Sequence, residues 1–188
     1  MSKVSLASMG SLRWLPVNAV WARDAARWAT GTPAIAAFSF LLLVQTAHLG
    51  EHVAQMVEIH LLGLTGAEAR GIIGQLDIEW VHFLWNLGIA AALAGLLVRL
   101  GPNPWLVLAT VFASWHLVEH DVIMRSFLAT GIAGSPGLLA SGGLIAGGLP
   151  LSRPDLHFVY NLVETIAIAI AYRASNLAAL GPGPQRPA

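Results

Sequence analysis

Cysteine is absent from all 188 residues. That excludes disulfides, thiolate metal sites and cysteine-ligated iron–sulfur clusters. Charge is scarce as well. Asp, Glu, Lys and Arg make up 11% of the chain, and 10 basic residues cancel 10 acidic ones. Soluble domains carry about 25% charged residues. A neutral chain offers no electrostatic footprint for nucleic acid, so none is expected as a partner. Residues 1–32 lack a compact apolar core followed by a small-residue cleavage site, so no cleavable signal peptide is expected.

What is present is apolar surface. Hydrophobic residues make up 56% of the sequence, and the mean hydropathy is +0.67. A soluble fold of this length could not hide so much of it. The composition predicts an all-α integral membrane protein. A spanning helix needs about 20 apolar residues, and four stretches qualify, near 33–58, 80–100, 103–127 and 154–174. Pro33 and Pro154 suit the first turns of the first and fourth helices. Gly101-Pro102-Asn103-Pro104 reads as a tight turn joining helices two and three.

The segments around these spans differ in kind. Trp14, Trp21 and Trp28 recur at heptad spacing among Arg13, Arg23, Asp24 and Arg27, which predicts an interfacial amphipathic helix over 12–30. Residues 128–153 are rich in glycine and predict a loop folded back over the bundle, because irregular backbone at membrane depth must be buried in protein. The tail 175–188 is Pro/Gly-rich toward its end and predicts disorder. The expected organisation is an N-terminal segment (1–32), a first helix pair (33–100), a second helix pair (101–174) and the tail. Lys3, Arg13, Arg23, Arg27, Arg99, Arg173 and Arg186 flank one side of the spans. Arg70, Arg125 and Arg153 flank the other. The excess predicts cytoplasmic termini and external long loops.

The two helix pairs say the same thing twice. His48-Leu49-Gly50-Glu51-His52 is answered by His116-Leu117-Val118-Glu119-His120. His82-Phe83-Leu84-Trp85-Asn86-Leu87 is answered by His157-Phe158-Val159-Tyr160-Asn161-Leu162. Six of the seven histidines fall in this pattern. Ionisable residues inside a membrane are costly, so a duplicated set points to a built site. His48, Glu51 and His52 share one helical arc, as do His116, Glu119 and His120. Glu79, His82 and Asn86 share a face of helix two, and His157, Asn161 and Glu164 a face of helix four. All six histidines should lie at one height, in the external half of a four-helix bundle, an arrangement suited to holding metal.

Imidazole suits iron, copper and zinc. The expected ligands are His48, His52, His82, His116, His120 and His157, around one or two ions. Glu51 and Glu119 are expected as bridging ligands or proton acceptors, with Glu79 and Glu164 as secondary ligands. Asn86 and Asn161 are expected to orient the neighbouring histidines. His60 and Glu58 lie outside the pattern and read as interfacial residues. Trp80, Trp85 and Trp115 read as anchors or packing.

Three functions suit such a site. His-x-x-Glu-His has the form of the inverted zincin motif, which implies hydrolysis with Glu51 or Glu119 as base. Histidine pairs on membrane helices loosely resemble the membrane desaturases and hydroxylases. Those carry more histidines in a different order, so no membership follows; the resemblance implies a metal-dependent oxidoreductase acting on an apolar or lipid substrate. The third function is haem binding or metal handling without catalysis, as a subunit of a larger membrane redox complex.

Overall fold

A computed structural model describes residues 32–65 and 68–179. The expected interfacial helix over 12–30 and the Pro/Gly-rich end of the tail lie outside the described residues. Four helices make up the described chain: α1 (Thr32–His60), α2 (Ile78–Leu100), α3 (Pro104–Thr130) and α4 (Arg153–Ala179).

Local chemistry sets the helix ends. Asp77 caps α2, its carboxylate accepting from the backbone N–H of Glu79 and Trp80, both at 3.0 Å. Asn103 caps α3 by accepting from Trp105 N–H at 2.9 Å, and Pro104 occupies the first turn. Such side-chain acceptors satisfy amides that a helix start leaves unpaired. Gly131 ends α3 in the left-handed conformation (φ 69°), donating its N–H to Phe127 O. A residue without Cβ suits that cap.

α1, α2 and α3 are long and apolar enough to cross a membrane. The fourth expected span, α4, falls short of that measure. The physical reason lies on its buried face, where His157, Tyr160, Asn161 and Glu164 lower the mean hydropathy while pointing inward.

The bundle is apolar outside along its length and polar inside on its loop-side half. Phe40, Leu43, Val98, Val111 and Ile166 stand more than half exposed, as lipid-facing side chains would. α1 packs chiefly on α4, and α2 on α3. The interior has two tiers. Toward the α2–α3 turn lies an apolar tier of Phe38, Leu41, Leu93, Leu96, Leu100, Leu106 and Ile168, with Ala109, Ala113, Ala167 and Ala171 between them. Small residues let helix backbones approach closely. Toward the long loops lies a tier of buried histidines, carboxylates and amides.

The glycine-rich connection 131–152 does fold back. Leu144 N–H bonds Gly137 O, Ile145 N–H bonds Leu138 O and Leu149 N–H bonds Leu139 O, at 2.7–3.1 Å. Buried Ala140 packs with Leu156 and Tyr160, which ties the loop to α4.

Candidate metal centre

All twelve expected site residues are buried, none more than 3% exposed. α1 supplies His48, Glu51 and His52; α2 supplies Glu79, His82 and Asn86. α3 supplies His116, Glu119 and His120; α4 supplies His157, Asn161 and Glu164. The helical offsets of three and four put each set on an inward face.

The six histidines form two triads. His48, His52 and His82 offer ring nitrogens within 4.8 Å of one another, and so do His116, His120 and His157. Each triad can therefore hold a metal ion. The ring spacing can be tested against coordination geometry. With metal–nitrogen bonds of about 2.0–2.1 Å, three imidazoles at tetrahedral angles have ring centres about 5.1 Å apart, and at octahedral right angles about 4.5 Å. The first triad has spacings of 5.0, 5.6 and 5.1 Å. The second has 4.9, 5.3 and 4.7 Å. Both match three corners of a tetrahedron better than a face of an octahedron.

In four of the six histidines a hydrogen bond occupies Nδ1 and leaves Nε2 unpaired. His82 Nδ1 lies 2.6 Å from Ile78 O, and His157 Nδ1 lies 2.8 Å from Arg153 O. A carbonyl only accepts, so Nδ1 carries the proton and Nε2 keeps its lone pair. His52 Nδ1 faces Gln55 Oε1 at 2.9 Å, and His116 Nδ1 faces Glu164 Oε2 at 3.1 Å. Nε2 of all six histidines is buried without a hydrogen-bond partner in the protein. Buried polar atoms are nearly always paired; with Nδ1 of His48 and His120 unpaired as well, eight unpaired ring nitrogens in two histidine clusters fit a pair of cations.

The carboxylates have different tasks from those expected. No carboxylate joins either nitrogen cluster among the described residues. Glu51 accepts four contacts from the loop after α1: Ile72 N–H, Ile73 N–H to both oxygens, and Gly74 N–H, at 2.9–3.0 Å. Glu119 accepts from Leu138 N–H at 2.8 Å and Leu139 N–H at 3.3 Å in the loop after α3. In place of the expected bridging role, these contacts have both glutamates fasten the loops that cover the site, with Glu119 Oε2 left buried and without a hydrogen-bond partner. Gly71 and Gly137 make this possible. Both have positive φ, and a Cβ on either would collide with the Oε1 of its glutamate.

Glu79 is likewise not in the cluster. It makes a two-pronged ion pair with Arg153, both contacts at 2.6 Å, and accepts Gly134 N–H at 2.8 Å. This pair joins the starts of α2 and α4. Glu164 sits behind His116 rather than beside a cluster nitrogen. That is the placement of a carboxylate that orients a metal-binding histidine. Asn86 and Asn161, expected to orient the histidine rings, donate instead to the backbone carbonyls of His82 and His157 at 2.9 Å. Gln45 then donates to Asn161 Oδ1 at 3.0 Å.

The halves differ in detail. The residue three after Asn161 is Glu164; three after Asn86 it is Ile89. The residue three after His52 is Gln55; three after His120 it is Ile123. Trp85 stacks on His48 at 5.0 Å, and Tyr160 meets His116 edge-on at 5.2 Å. Trp85 thus touches the site. Gln55 and Arg153 also belong to it, although the motif reading did not single them out; Gln55 could have been found from its three-residue spacing to His52. His60 pairs with Asp155 at 2.7 Å on an exposed edge, and Glu58 accepts Gly71 N–H at 2.8 Å.

A planar haem needs both its faces open around an axial pair. Each imidazole here has others at 4.7–5.6 Å, where a macrocycle would lie. The crowding favours bare ions. No protein-family model matches the chain, and neither a curated protein nor a solved structure matches it.

Proposed function

We propose that the chain is a multi-pass membrane metalloprotein holding two transition-metal ions, one per histidine triad, for redox chemistry on an apolar or lipid substrate. The carrying observation is the convergence of six buried imidazoles, each with an unpartnered Nε2, into two clusters of ring nitrogens. Imidazole-only ligation suits copper, iron and zinc.

In this reading α4 is the fourth span, and the helix pairs are two copies of one unit. The parallel use of Glu51 and Glu119 as loop fasteners supports the duplication. The basic residues near the termini and Arg99 put those ends in the cytoplasm and the metal centre in the external half. Membrane lipid surrounds the bundle, and a larger redox complex is a natural setting. Hydrolysis is the weaker reading, because both oxygens of Glu51 already bind loop amides and Glu119 is held to its loop through Oε1, which leaves Oε2 of one glutamate alone to serve as base.

Element analysis with an absorption spectrum tests the proposal. It expects two transition-metal ions per chain, no Soret band, and a spectrum that changes reversibly with mild reductant and air. Metal-free protein overturns the site. A Soret band favours haem, and ions fixed in one oxidation state favour metal handling.

A further inference from the structure

The triads face each other across a gap. His48 stands opposite His116 with ring centres 6.4 Å apart and planes 3° apart. His52 stands opposite His157 at 6.2 Å, and His82 opposite His120 at 5.9 Å. These three cross pairs are the long edges of a prism whose ends are the triads.

Among the described residues no carboxylate joins either cluster of ring nitrogens, although Glu119 Oε2 and Glu164 Oε1 are buried without a hydrogen-bond partner. Glu51 and Glu119 are bound to loop amides, Glu79 to Arg153, and Glu164 to the Nδ1 side of His116. Yet the gap is reachable. A cavity of ≈ 880 Å³ on the loop side is lined by His52, His82, His120 and His157. Those four make up two of the three cross pairs, so they form one side face of the prism. His48 and His116 do not line the cavity; they form the closed far edge.

From this geometry we propose that the gap binds one small exogenous anion, of the size of hydroxide or azide, that bridges both ions. It enters through the loop-side cavity. The inference rests on the two-ion reading above. Two divalent ions would bring four positive charges to six neutral imidazoles in a low-dielectric interior. Ionised Glu51, Glu119 and Glu164 would offset three of them, which leaves one, and uncompensated buried charge is costly. Three tetrahedral corners per ion leave a fourth position, and the reachable side of each triad is the shared gap.

The test uses the full chain in detergent, loaded with copper(II), its ion content measured first and then titrated with azide. The expected result is two ions per chain and saturation at one azide per pair, with a new charge-transfer band. The single-ion variants His48→Ala and His116→Ala should bind azide at least tenfold more weakly. Two azides per chain, no azide, or unchanged affinity in those variants overturns the bridge alone. Fewer than two ions per chain overturns the two-ion reading and the bridge with it.

Discussion

Glu51→Gln separates a loop fastener from a metal ligand. Each Glu51 oxygen accepts two backbone amides: Oε1 takes Ile73 and Gly74, and Oε2 takes Ile72 and Ile73. Whichever oxygen becomes the amide NH2 then presents donors to two N–H groups. Hydrogen bonds to a charged acceptor contribute about 1.5–3 kcal/mol each. Ile73 N–H is shared by both oxygens, so one bond is lost outright and one is halved, which costs the closed loop about 2–4 kcal/mol. Because the loop can open without the bundle unfolding, the effect is local. Amide hydrogen exchange reads it directly: at about 1.4 kcal/mol per power of ten, Ile72, Ile73 and Gly74 should exchange about one and a half to three powers of ten faster. Metal content should stay at the wild-type value. Unchanged exchange together with lost metal would refute the fastening role and restore Glu51 as a ligand.

Three further outcomes follow from the same contacts. Glu164→Gln neutralises the partner of His116 and should weaken metal binding at the second triad about 10- to 100-fold, with the first unaffected, in a competitive chelator titration. Arg153→Met leaves the buried Glu79 carboxylate with Gly134 N–H as its remaining hydrogen-bond donor among the described residues. Removing one member of such a pair costs about 3–5 kcal/mol, to be seen as a lower denaturant midpoint; an unchanged midpoint would count against the pair. Gly137→Ala combines a strained positive φ with a Cβ 3.1 Å from Ile123 Cγ1 and in collision with Glu119 Oε1. It should speed amide exchange at Leu138 and Leu139 about tenfold or more, since such backbone strain costs of order 1–3 kcal/mol.

The helices and the histidine tier were legible because both are periodic. Offsets of three and four fix which residues of α1 share a face, and the repeat fixes which helices carry the same set. The tasks of the carboxylates were not legible. Glu51 meets amides of Ile72, Ile73 and Gly74, and Glu119 those of Leu138 and Leu139. Backbone donors look alike at every position, so no residue pattern marks them. Glu79 and Arg153 are far apart in the chain and meet only because the starts of α2 and α4 adjoin. Asn86 and Asn161 lie one turn after their histidines, a spacing that suits the ring or the carbonyl equally well; the structure shows the carbonyl. α4 falls short as a span in composition because a window average counts its inward-facing Asn161 and Glu164 as if they met lipid.

The central claim is that each triad holds one ion. Metal content of the purified full chain, measured for wild type, His52→Ala, His120→Ala and the double variant, tests it most directly. The account predicts two, one, one and no ions per chain. Metal-free wild type, or a content that neither substitution changes, would contradict it.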